Sequence, residues 1–194
     1  MSSDENSFKF SENSLNIFKE KIKSHHELYK KIRCKAEYLE EIIVQSLRST
    51  KEKVKWNPAG HEQEKDILVN DTYKIQIKSG TLTQSKLKVS GHRLGRFENN
   101  FNKITDFLNK LDSDIYATTN PSPRMSTNEH KYHLYYVNKK AITGIKKEDW
   151  EKSGAGYKNK NTIGTIFLLK PTMSWQIWWE IPLSYAEKVY EINI

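Results

Sequence analysis

One cysteine, five prolines and eight glycines are all that the 194 residues hold of the types that staple, kink or unlock a chain. Cys34 alone cannot close an internal disulfide, and no second cysteine stands near it to share a metal. A disulfide-built secreted scaffold is therefore excluded. No apolar run approaches the ~20 residues of a membrane-crossing helix. The start, Met1 to Ser7, has neither the basic nor the apolar stretch of a secretory leader. Together these absences predict a cytoplasmic protein without membrane contact. Glycine-rich phosphate loops, serine-nucleophile elbows, zinc-ligand spacings and internal repeats are missing as well, so no nucleotide cofactor is expected.

What the chain does have is positive charge and aromatic surface. Lys and Arg number 32 against 24 Asp and Glu, a formal charge of +8, which suits a polyanionic partner such as nucleic acid or an anionic membrane surface. With the membrane signals missing, nucleic acid is the better fit. Five Trp, ten Tyr and seven Phe supply enough apolar surface for a real core, and the length suits a single domain over residues 1–194.

Periodicity divides the chain. Residues 1–13, polar and rich in Ser, Asn and Glu, read as a flexible leader, and Ser14 as the cap of a short helix carrying Leu15, Phe18 and Ile22. Leu28, Ile32, Ala36, Leu39, Ile43 and Leu47 then recur at helical spacing and predict one helix from about His26 to Leu47. Trp56 to His61 reads as a loop. Strands are predicted from Asp66 to Val69, Tyr73 to Lys78 and Lys86 to Val89, a helix from about Glu98 to Leu111, and a strand from Asp114 to Thr118. After a loop from Thr119 to Glu129, strands are expected at Tyr132 to Val137, Gly164 to Leu169 and Ser174 to Ile181. The fold class is α/β or α+β, a mixed central sheet flanked by helices, with 26–118 as the core and 130–194 as appended strands for recognition or dimerisation.

The segment from Asp66 to Lys78 carries the chemistry. Its register follows from parity: with a two-residue loop the apolar residues of the two strands fall on opposite faces. With Asn70-Asp71-Thr72 as the loop, Val69 faces Tyr73, Ile67 faces Ile75 and Asp66 faces Gln76. That register puts the strong hydrophobes on one side and collects Asp66, Gln76 and Lys78 on the other. Such a cluster suits phosphodiester hydrolysis. Asp66, the Gln76 side-chain oxygen and the Ile77 carbonyl are candidate ligands for Mg2+, and Lys78 can position the attacking water.

Asp66, Gln76 and Lys78, within the order helix, three strands, helix, strand, resemble the PD-(D/E)xK nuclease superfamily over roughly residues 35–118. The likeness is greatest to small type II restriction endonucleases. Gln76 stands where the superfamily usually has an acid, and Lys65 where it usually has proline. The resemblance implies a restriction-endonuclease-like core and a Mg2+-dependent enzyme that hydrolyses double-stranded DNA at specific sites as a homodimer. It also implies a carboxylate from the first core helix. Glu37, Glu40 and Glu41 compete for that role, and Glu40, at the border of the apolar stripe, is the best placed. The rival expectations are a structure-selective or repair nuclease of the same fold, and a DNA-binding subunit without catalysis.

Downstream, Ser90-Gly91-His92-Arg93-Leu94-Gly95-Arg96 reads as a strand that breaks at glycines and leads into a helix, a natural reader of phosphates and base edges. Ser79, Lys86, Lys88, Ser90, His92, Arg93 and Arg96 are the expected DNA contacts. His61, Glu62 and Glu64 either support the site or form a polar loop. Trp175, Trp178 and Trp179 either stack bases or pack in a strand.

Overall fold

The computed structural model describes residues 7–29, 36–58, 65–83, 85–93, 100–119, 131–154, 156–161, 164–168 and 175–194. The chain is of the mixed α/β class expected, a mixed sheet with flanking helices and further strands towards the C-terminus. It divides into two compact units, one made of Met1–Ser79, Ser113–Tyr136 and Lys188–Ile194, the other of Gly80–Asp112 and Val137–Glu187.

The first unit opens with α1 (Glu12–Leu28) and α2 (Ala36–Arg48). The leader expected over 1–13 is instead partly core: Phe8 and Phe10 are buried, and the Phe8 carbonyl accepts from the Tyr116 hydroxyl at 2.6 Å. Ser11, not Ser14, caps α1, accepting from the Ser14 N–H. Ser14 is itself buried, its hydroxyl 2.7 Å from that of Thr50. The single helix expected over His26 to Leu47 is also corrected. Leu28 ends α1 and is 76% exposed, and α2 begins afresh at Ala36. Ile32 lies outside the described residues.

Strands β1 (Val54–Trp56), β2 (Ile67–Val69) and β3 (Tyr73–Leu82) follow as an antiparallel meander, so the first strand comes before Asp66 and where a loop was expected at Trp56. The β2–β3 turn has three residues. Val69 faces Tyr73 and Ile67 faces Ile75, as parity required. Asn70 and Asp71 hold φ of 52° and 56°, a left-handed conformation that these two residue types tolerate better than most. Lys53 and Lys55 on the β1 side both pair with the Asp71 carboxylate. Strands β5 (Asp114–Thr119), β6 (Lys131–Val137) and β11 (Ala186–Asn193) complete this sheet in the order β11-β6-β5-β3. Phe18 and Ile22 of α1 and Leu39, Ile43, Val44 and Leu47 of α2 share one core with Ile67, Val69, Ile75 and Ile77. β11 was not foreseen.

In the second unit, the end of β3 pairs with β4 (Lys86–Arg93), which pairs with β10 (Trp175–Pro182). The order continues through β9 (Gly164–Leu168), β8 (Gly156–Asn159) and β7 (Trp150–Ser153). Helix α3 (Phe101–Asn109), shorter than expected, is capped by Asn100, and a short α4 (Lys140–Thr143) follows later. The stretch between the strands expected at Tyr132 to Val137 and Gly164 to Leu169 thus contains α4, β7 and β8. β4 buries Leu87 and Val89, and β10 buries Ile177, Trp179 and Ile181, leaving the alternate residues on the other face. Among the described residues, no helix is long and apolar enough to cross a membrane.

Candidate active site

The hairpin places its polar residues by backbone geometry. Asp66 stands one residue before β2, and its N–H still donates to the Ile75 carbonyl at 2.9 Å, extending the ladder by one rung. Since Ile67 faces Ile75, Asp66 falls opposite Gln76. The Asp66 Oδ2 accepts from the Ile77 N–H at 2.7 Å, which fixes the carboxylate against the β3 backbone. Lys78 Nζ lies 3.8 Å from the same oxygen, with both side chains recessed at 18% and 20% exposure. Gln76 is buried at 5%. Its neighbours Ile75 and Ile77 are in the core, so the strand alternates polar and apolar through the site.

From α2 comes the remaining acid. Glu40 is half-buried, whereas Glu37 and Glu41 are exposed, and Glu41 is occupied with Gln45. Glu40 Oε2 receives a long hydrogen bond, 3.4 Å, from the Trp56 indole N–H of β1. Burial raises its carboxyl above the ordinary range, and the Asp66 carboxylate raises it further, while Trp56 and the Lys78 ammonium act in the opposite sense. Glu40, Asp66 and Lys78 are thus electrostatically coupled. Trp56, which positions Glu40, lies where the sequence predicts a loop. The alternation Val54-Lys55-Trp56 was the signal available, and three residues were too few to read.

This donor set fits a small, hard divalent ion. Two recessed carboxylates that disfavour each other's charge are stabilised by a cation between them, and the Gln76 amide oxygen and Ile77 carbonyl are further hard donors. Asp66 Oδ1 has no hydrogen-bond partner among the described residues, which leaves it available as a ligand. Among those residues no three His, Cys, Asp or Glu side chains come together.

The raised Glu40 carboxyl has a consequence for stability. A carboxyl whose folded pKa exceeds its unfolded value destabilises the fold as pH rises from the ordinary Glu range through the raised value, and the loss persists above it. Glu40→Gln is therefore expected to raise Tm at pH 7.5 by about 2 °C, an advantage that vanishes below about pH 4. Thermal melts at the two pH values check this. A variant less stable than wild type at pH 7.5 would show that Glu40 is held by partners rather than penalised.

The expected DNA contacts are distributed between the units. Ser79 is half-buried in the first unit, directly after Lys78. Lys86, Lys88, Ser90, His92 and Arg93 all lie on β4 of the second unit. The strand does not break at Gly91 as expected but runs on to Arg93, because Gly91 lets β4 close on β10. A Cβ there would lie 2.6 Å from Ile177 Cγ2. Ser90 to Arg93 are thus strand rather than loop leading into a helix. Arg96, His61, Glu62 and Glu64 lie outside the described residues. Lys86 and Lys88 share Glu180 as ion-pair partner, at 3.8 and 3.4 Å. Trp179 is core at 1% exposure, whereas Trp178 is only half-buried and has Lys88 Nζ 5.6 Å from its ring centroid. Comparisons with protein-family models, with curated proteins and with solved structures found no match to this chain.

Proposed function

We propose that this protein is a Mg2+-dependent endonuclease of double-stranded DNA, a sequence-specific type II restriction endonuclease acting in the cytoplasm as a homodimer. The observation that carries the reading is the meeting of Asp66 and Lys78 head groups at 3.8 Å beside Glu40, whose carboxyl responds to both charges. Asp66, Glu40, the Gln76 side-chain oxygen and the Ile77 carbonyl would hold Mg2+. When bound, the ion supplies positive charge to the scissile phosphate and acidity to nearby water.

The side chains account for the rest. Lys78, recessed and beside Asp66, orients the attacking water and offsets the negative charge that grows on the phosphate during attack. The Ile77 N–H and the Lys78 ammonium both meet Asp66 Oδ2, which leaves Oδ1 as the oxygen that would take the ion. Gln76 contributes an oxygen without charge, which predicts weaker Mg2+ binding than an acid at the same position would give. Ser79, Lys86, Lys88, Ser90, His92, Arg93 and Arg96 are the proposed DNA contacts. A palindromic site cut on both strands calls for two copies of this active site, hence the homodimer.

Incubating phage DNA with the wild-type protein is expected to give discrete fragments in Mg2+ and none in excess chelator. Cleavage confined to branched or damaged DNA would favour a structure-selective or repair nuclease. Tight metal-independent binding without any cut would favour a DNA-binding subunit.

A further inference from the structure

The second unit holds a small basic cavity whose makeup points to a specific ligand. Lys86 and Lys88 are two residues apart on β4 and project to the same face, opposite the one that buries Leu87 and Val89. On β10, Glu180 pairs with Lys88 and Pro182 with Lys86 in the strand register. The two ammonium groups approach the two oxygens of the one Glu180 carboxylate, Lys86 at Oε2 and Lys88 at Oε1. Thr83 and Ser85, in the β3–β4 turn, complete a concavity of about 420 Å³.

Three features distinguish this cluster from an ordinary surface ion pair. Its charge is unbalanced, two cations to one anion. Both contacts, at 3.8 and 3.4 Å, are longer than charge-assisted hydrogen bonds, and the three side chains stay 31–43% exposed, so the ammonium groups keep donors for another acceptor. An exposed pair of this kind also adds little to stability, so it has no evident structural purpose. A carboxylate spread across two ammonium groups occupies the position that two non-bridging phosphate oxygens would take.

We propose that Lys86 and Lys88, with the Ser85 hydroxyl, form a subsite for one backbone phosphate of nucleic acid, walled by Thr83, whose hydroxyl donates to the Lys86 carbonyl, and that Glu180 is a built-in competitor displaced on binding. The inference rests on the DNA reading above and adds a regulatory element to it. Glu180 lowers affinity for isolated phosphates and makes engagement depend on the rest of the backbone being in place. Trp178, beneath Lys88, limits where that ammonium can move.

The test is a titration of a labelled DNA duplex against wild type, Glu180→Gln and the double variant Lys86→Gln/Lys88→Gln, in Ca2+ to prevent cutting, at several salt concentrations. Glu180→Gln is near-isosteric and is expected to bind at least about threefold tighter at low salt, because one repelling charge is gone. The double variant is expected to bind more weakly, with its slope of log K against log salt shallower by about 1 to 2. In metal-free buffer with chelator, inorganic phosphate at matched ionic strength should displace duplex from Glu180→Gln better than from wild type, which separates a true phosphate site from a general field effect. Unaltered Tm and circular dichroism show that each variant is folded. Unchanged affinity in Glu180→Gln, or an unchanged salt slope in the folded double variant, would overturn the proposal. A wild type that binds duplex with this salt dependence but never cuts in Mg2+ defeats the nuclease reading and leaves the subsite standing. Normal cutting, with both variants binding as wild type does, removes the subsite alone.

Discussion

Lys78→Ala is expected to lower the rate of Mg2+-dependent duplex cleavage by at least ~10³-fold while shifting Tm by no more than about 3 °C. The large kinetic effect follows from where the amine sits. Its Nζ is 3.8 Å from Asp66 Oδ2 on a side chain only 18% exposed, so its charge is weakly screened and close to the proposed metal ligands. On the proposed mechanism, losing it removes both the group that would orient the attacking water and the charge that would offset the phosphate. The small stability effect follows from the same geometry. In a recessed pair the cost of desolvating the two charges offsets much of their attraction, and Asp66 keeps its hydrogen bond from the Ile77 N–H after the lysine is gone. Single-turnover cleavage under saturating protein, with binding measured separately in Ca2+, isolates the chemical step. Unchanged single-turnover cutting by Lys78→Ala would remove Lys78 from the mechanism. Lys78→Arg should rescue only in part, because a planar, permanently charged guanidinium cannot place a single donor as the amine does.

The hairpin that carries this site was legible because two local signals agreed. Asn70 and Asp71 are turn residues suited to positive φ, and only a three-residue loop keeps Ile67, Val69, Ile75 and Ile77 on one face. Glu40 could be picked out from Glu37 and Glu41 because helical angle relates directly to burial. What escaped notice depends on partners distant in sequence. The stripe from Leu28 to Leu47 has no proline or glycine to interrupt it, so periodicity joined two helices that end and restart between 28 and 36. Phe8 and Phe10 stand in a polar stretch, and partners far along the chain, Tyr73 and Tyr116 among them, explain their burial. β11 is exposed or half-exposed along its length without a regular alternation, Ile192 alone being buried, so it carries little apolar signature. Lys86 and Lys88 read as DNA contacts, and nothing near them in the sequence announces Glu180 as their partner.

Gly91 illustrates the same point, and its replacement by alanine is expected to cost about 3 kcal/mol and lower Tm by roughly 6–12 °C. In sequence, a glycine after Lys86-Leu87-Lys88-Val89-Ser90 looks like the end of a strand. In the structure it lies inside β4, beside the place where the β4–β10 register shifts between Gln176 and Trp178. A Cβ at Gly91 would lie 2.6 Å from Ile177 Cγ2, 2.8 Å from the Ile177 carbonyl oxygen and 2.8 Å from the Trp179 indole nitrogen. None of these can yield cheaply. Ile177 and Trp179 are 0% and 1% exposed, and the carbonyl belongs to the backbone of the paired strand. Overpacking against a fixed backbone therefore forces β4 and β10 apart. The indole offers one route of relief: its Nε1 is buried without a hydrogen-bond partner among the described residues, so Trp179→Phe removes a colliding atom and an unsatisfied donor together. The Trp179→Phe change alone should be destabilising through lost volume. Combined with Gly91→Ala, the pair should be less destabilising than the sum of the two single changes, a coupling of about 1 kcal/mol measurable by urea denaturation. A Gly91→Ala protein melting within about 1 °C of wild type would show that β4 and β10 do not approach this closely at Gly91.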